Sequence, residues 1–124
     1  MSKAVEQVWQ DFMGSMHQGN DHWQDLVADD IEFNGPVQQV TGKDDFIKLN
    51  QGFFQMVTGF DIHRHTCADN TVATEATIKL KSPDGNEIAF DMAEFYKIEN
   101  GKIQSVKIYY DPREFLQEFS TYCN

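Results

Sequence analysis

A chain of 124 residues and 14.3 kDa is predicted to fold as one domain over residues 1–124, burying roughly 65–70% of its unfolded surface. Twenty acids against ten bases give a net charge of −10, which argues against nucleic acid and anionic membrane surfaces as partners, since both are held by clustered Lys and Arg. Cys67 and Cys123 lie far apart and form neither a disulfide framework nor zinc-ligand spacing. No apolar run is long enough for a signal peptide or a membrane span, so a cytoplasmic location is expected.

Residues 3–18 place Val5, Val8, Trp9, Phe12, Met13 and Met16 at three-four spacing, which predicts an amphipathic helix capped by Ser2 and ended by Gly19. A shorter helix follows, capped by Asn20 or Asp21, with Trp23, Leu26 and Val27 on one face. The stretch "DDIEFNGPVQQV" alternates around Asn34-Gly35-Pro36 and predicts a hairpin with Pro36 in the turn. Thr41 opens a third helix, with Asp44 three residues on and Phe46, Leu49, Phe53 and Val57 along one stripe. After Gly59 the period changes to two, and 60–67, 71–81, 87–98 and 103–110 read as a four-strand meander punctuated by "ADN", "SPDGN" and "ENG". A final short helix starts at Asp111 or Pro112.

This order predicts an α+β domain in which a strongly curved antiparallel sheet wraps around the N-terminal helices as a cone. The open end of such a cone is a natural place for a small molecule. The stretches "LVADDIEFNGPVQQVTGKDDFIKLNQGFF" and "EFYKIENGKIQSVKIYYDPREF" resemble the SnoaL-like branch of the nuclear transport factor 2-like superfamily, whose fold is also called cystatin-like. The resemblance covers nearly the whole chain. It implies a pocket for a small hydrophobic molecule, a homodimer through the open face of the sheet, and no cofactor.

Relatives within that superfamily narrow the chemistry residue by residue. The chain resembles ketosteroid isomerase around "ADD" and "PV", but the position of that enzyme's base is Gly35 here. Its oxyanion tyrosine falls near Phe12 and its late acid near Ala93. Steroid isomerisation is therefore not expected. Limonene-1,2-epoxide hydrolase is similar at "VATEATIKL" and "YYDPREF", yet its Arg-x-Asp pair falls on Ala76 and Ile78. Its remaining acid, and the acid–base aspartate of the polyketide cyclases, both match Asp111.

Asp111 thus has two compatible roles. Asp at the cap, Pro112 next and Glu114 at the third position form a helix-start signature, in which backbone N–H bonds lower the carboxylate pKa. Facing a pocket, the same group is the expected acid–base catalyst of an isomerisation, cyclisation, dehydration or hydration. Asn34 and Tyr109 are the expected orienting hydrogen-bond groups, and Trp9, Phe12, Met16, Trp23, Phe54 and Met92 the expected apolar contacts. The alternative is a non-catalytic ligand-binding or dimerisation module.

Two further sets carry weaker signals. His63 and His65 form an His-x-His pair whose side chains share one face of a regular strand, with Glu75 across the turn as a third group. No metal is expected there, because so short a motif is weak. In "IAFDMAEFY", Phe90, Met92, Glu94 and Tyr96 share one face, and Asp91, Ala93 and Phe95 the other. A carboxyl group on a covered face needs a partner or a raised pKa.

Overall fold

The computed structural model describes residues 2–119, with side chains from Ala4 onward; Cys123 and the side chain of Ser2 lie outside this range. The amphipathic spacing of the N-terminal segment produces helix α1 (Ser2–Gln18), with Val5, Trp9 and Phe12 buried along one stripe. A 3-10 turn follows at His22–Leu26 and buries Trp23. Its start is tied to the end of α1 through side chains. Trp23 N–H donates to Ser15 Oγ at 2.8 Å, and His22 N–H donates to Asn20 Oδ1 at 3.1 Å. Asn20 therefore supplies the capping contact, and Asp21 makes no side-chain cap bond.

Strands β1 (Val27–Asn34) and β2 (Gln39–Thr41) form the expected hairpin, closed by Gly35 N–H to Gln38 C=O at 2.9 Å. Two helix boundaries differ from the expectation. Val27 begins β1 rather than extending the preceding helix. Thr41 ends β2, and Gly42 occupies the cap position of helix α2 (Lys43–Phe54). With φ at 100°, Gly42 makes a strand-to-helix turn that a threonine side chain would strain. Helix α2 also stops before Val57, which starts strand β3 (Val57–Ala68).

Strands β4 (Thr71–Lys81), β5 (Glu87–Glu99) and β6 (Lys102–Tyr109) complete the meander, and helix α3 (Arg113–Glu118) closes the chain. Asn100 and Gly101, both with positive φ (55° and 74°), form the β5–β6 turn that "ENG" foretells. The sheet is six-stranded, curved and unclosed, in the order β2-β1-β6-β5-β4-β3. All neighbours are antiparallel except β1 and β6, which run parallel and join the hairpin to the meander. Register shifts that leave extra residues in β1, β3 and β6 mark bulges that bend the strands.

The core falls into two apolar clusters. One gathers Trp9, Phe12, Trp23, Ile31, Phe46 and Ile103 under α1 and the hairpin. The other gathers Ile78, Leu80, Ile88, Met92, Phe115 and Phe119, so that α3 covers the far end of the sheet. Each fully buried ring or branched chain contributes about 1.5–3 kcal/mol relative to exposure. Among the described residues, no helix is long and apolar enough to cross a membrane.

The Ser15 contact makes a specific demand on stability. Ser15→Ala leaves the buried Trp23 N–H without its acceptor and is expected to destabilise the fold by about 1–3 kcal/mol. Urea unfolding monitored by tryptophan fluorescence measures the difference.

Candidate functional site

The two apolar clusters do not meet completely. Between them lies a cavity of about 870 Å³, lined by α1, α2, the inner face of β3–β6 and Phe115 of α3. Its position follows from strand periodicity. Every second residue of β5, from Phe90 through Met92 and Glu94 to Tyr96, points inward and lines the cavity. Asp91 and Phe95 are exposed on the other side.

Most of the wall is apolar, which makes Glu94 the exception. It is only 4% exposed, and its Oε1 accepts a hydrogen bond from Thr74 Oγ1 at 3.0 Å. The Tyr96 hydroxyl interacts with the same carboxyl group and also donates to Met13 Sδ at 3.7 Å. Burial pushes the Glu94 pKa up from 4.5 to about 7, against the lowering effect of Thr74 and Tyr96. Burial and the neighbouring Glu94 hold the Tyr96 phenol well above its ordinary value, so it stays a donor at neutral pH. Among the described residues, no Lys, Arg or Asp side chain lines the cavity; the remaining ionisable lining groups are His17 and Tyr110.

The sequence-predicted site residues divide into three groups. Phe12, Met16, Phe54 and Met92 line the cavity. Trp9 and Trp23 stand behind its wall as buried core. Trp23 packs edge-on against Phe12, Phe46 and Phe54 at centroid distances of 6.0–6.2 Å and so holds three lining rings in place. Trp9 backs Tyr96 in the same manner at 6.4 Å.

Asn34, Tyr109 and Asp111 lie off the cavity wall, correcting their expected placement in the pocket. Asn34 is in register with Lys107, on the outer side of the sheet, while its neighbour Phe33 faces inward with Val106. Tyr109 alternates outward as well, is 57% exposed, and meets Phe95 edge-on at 5.8 Å. Tyr110 is the residue of that pair that turns in, stacking on Phe90 at 4.7 Å.

Asp111 sits at the surface beside α3, where Arg113 Nε donates to both carboxylate oxygens at 3.0 Å. Arg113 N–H donates to Asp111 Oδ1 at 3.1 Å, so the carboxylate does serve the first turn of the helix, although Pro112 occupies the cap position. These bonds, with the guanidinium charge, hold the Asp111 pKa down at about 2. A carboxylate that acidic is a weak base at neutral pH.

The His-x-His pair is split by a bulge. Between Ile62 and Arg64 the register of β3 slips by one residue, which reverses the alternation. His63 faces outward, with Nε2 2.6 Å from Thr77 Oγ1, which in turn donates to Asp91 at 2.6 Å. His65 faces the helix side, with Nε2 2.7 Å from Glu6 Oε2 and its ring 4.5 Å from that of Trp9. Glu75 pairs with Arg64 at 2.7 Å. The three groups therefore do not converge.

A curved, unclosed sheet laid over an N-terminal helix is the nuclear transport factor 2-like fold. The chain belongs to the SnoaL-like family within it, since residues 9–106 match the SnoaL-like domain. A protein of unknown function from Burkholderia pseudomallei superposes with a TM-score of 0.79 at 13% identity, covering 97% of this chain and 99% of its own. A candidate SnoaL-like polyketide cyclase from Mesorhizobium loti gives 0.72 at 21% identity, covering 86% and 98%. TerC, crystallised with polyporic acid, gives 0.80 at 11% identity, covering 94% and 98%. At these identities the likeness is one of fold. No curated protein matches the chain by sequence.

The raised Glu94 pKa fixes a pH dependence. The folded state holds this proton more tightly than the unfolded state, so its contribution is full below about pH 4.5 and is lost as pH rises to about 7. Glu94→Gln, which keeps the shape and removes the charge, is expected to be more stable than wild type at pH 8 by about 3 kcal/mol. The gap should close as pH falls towards 4.5. Thermal unfolding of both proteins across this range checks the sign and the window.

Proposed function

We propose that this protein binds a small hydrophobic molecule in the cavity and that Glu94, rather than Asp111, is the group that does chemistry or fixes orientation there. The observation that carries the reading is a buried carboxyl group on an otherwise apolar wall. A carboxyl titrating near neutrality is populated in both protonation states and can act as acid or base. Cofactor-free proton transfer, as in isomerisation, cyclisation or dehydration, is the reaction class that fits. The Mesorhizobium loti neighbour, a candidate polyketide cyclase, shares the fold on which this reading places the chemistry.

A second reading, a binding module without turnover, is favoured by one observation. Glu94 is the only carboxyl group on the wall among the described residues, so a second carboxylate is missing from any two-acid mechanism. The two readings share the cavity and differ in what Glu94 does to its occupant.

The outer face of the sheet supports a homodimer. Phe95 and Tyr109, 41% and 57% exposed, form an aromatic pair there that a second copy would cover. Cytoplasmic location is part of the reading, and the sparse use of cysteine supports it.

Two measurements test these readings. In a thermal-shift screen, apolar ring compounds are expected to raise the Tm of wild type and to raise it less in Met92→Trp, whose larger side chain takes up part of the cavity. A screen without binders counts against the cavity as a ligand site. Sedimentation analysis is expected to give twice the 14.3 kDa chain mass for wild type. The Phe95→Lys/Tyr109→Lys double variant should sediment as a single chain.

A further inference from the structure

Glu94 meets two hydroxyl groups inside the wall. The Thr74 hydroxyl donates to it at 3.0 Å, and the Tyr96 hydroxyl, which stays protonated, interacts with it from the same strand. Both contacts favour the ionised carboxylate over the neutral acid. A carboxyl group meant to donate its own proton to a ligand carbonyl would gain nothing from them. Burial opposes the charge that these contacts favour, and no Lys or Arg side chain among the described residues lines the cavity to balance it.

The rest of the wall fits a cation better than an anion. Phe12, Phe33, Phe90, Tyr96 and Tyr110 contribute ring surface to the cavity, and aromatic faces attract ammonium groups through their quadrupoles. The net charge of −10 raises the concentration of cations near the protein and lowers that of anions. A carboxylate or phosphate ligand would meet a like charge with no lysine or arginine on the wall to receive it.

Resting on the reading that the cavity binds a small molecule, we propose that its occupant is a lipophilic amine: a protonated ammonium group paired with Glu94, on an apolar body held by the rings. The ligand then supplies the missing counter-ion. Binding couples to deprotonation of Glu94 and strengthens as the carboxylate forms.

Matched probes decide the matter. Isothermal titration of 1-naphthylmethylamine and 1-naphthylmethanol, which differ in the charged group alone, is run at pH 8 and pH 6. The amine is expected to bind about tenfold or more tightly than the alcohol at pH 8. Its affinity should fall about tenfold between pH 8 and pH 6, following the ionised fraction of Glu94, while that of the alcohol holds. Glu94→Gln should abolish the preference for the amine and keep the binding of the alcohol. His17→Gln, which removes the one imidazole on the wall, should keep the pH dependence.

An alcohol that binds as tightly as the amine at pH 8, or an amine whose affinity ignores pH, overturns the proposal and leaves the cavity reading standing. Failure of both probes to bind wild type overturns the two together. The wild-type series decides by itself, whether or not Glu94→Gln folds.

Discussion

The inward alternation of β5 is the constraint on which the site depends. A period of two sends Phe90, Met92, Glu94 and Tyr96 to the same side, so a carboxyl group that would sit in water after a one-residue slip is sealed against apolar rings instead. Pairing along the whole length of β4 and β5 locks that register, and Thr74 stands directly opposite Glu94 in it. Once the register is set, the charge has nowhere else to go. Its environment and its proton affinity both follow.

The cavity survives because large rings are braced from behind. Trp23 fixes Phe12, Phe46 and Phe54, and Trp9 fixes Tyr96, so the lining cannot simply collapse inward. Close packing of interiors normally closes gaps of this size. Here the two clusters occupy different stretches of the inner face of one bulged, curved sheet. The aromatic richness of so short a chain is thereby divided between wall and buttress, a division that helix spacing alone does not reveal.

Much of the fold was legible in the sequence, because long strands and amphipathic helices announce themselves by period. The meander, the hairpin at Asn34-Gly35-Pro36 and the common face of Phe90, Met92, Glu94 and Tyr96 were all readable that way. What escaped were interruptions of period. A bulge in β3 separates His63 from His65, and Gly42 displaces Thr41 as the start of α2. The site was less legible for a different reason. Asp111 carries both a helix-start signature and a resemblance to known catalytic acids, and these signals drew attention to a residue that binds Arg113 at the surface. Glu94 has no motif around it. Its signal was an acid inside an apolar alternation, which is weak until the surrounding wall, without a Lys or Arg side chain among the described residues, is in view.

The same residue links binding to stability. At neutral pH an unpaired buried carboxyl group works against the folded state, since folding raises its pKa from 4.5 to about 7. Any ligand that favours the ionised form relieves that opposition, and binding to the folded state alone adds its own stabilisation by mass action. Exchange for glutamine would remove that opposition and the group's ability to pair with a cation together. On the wall of a cavity, beside two hydroxyl groups, Glu94 is the position that the proposed ammonium group would pair with from outside the chain.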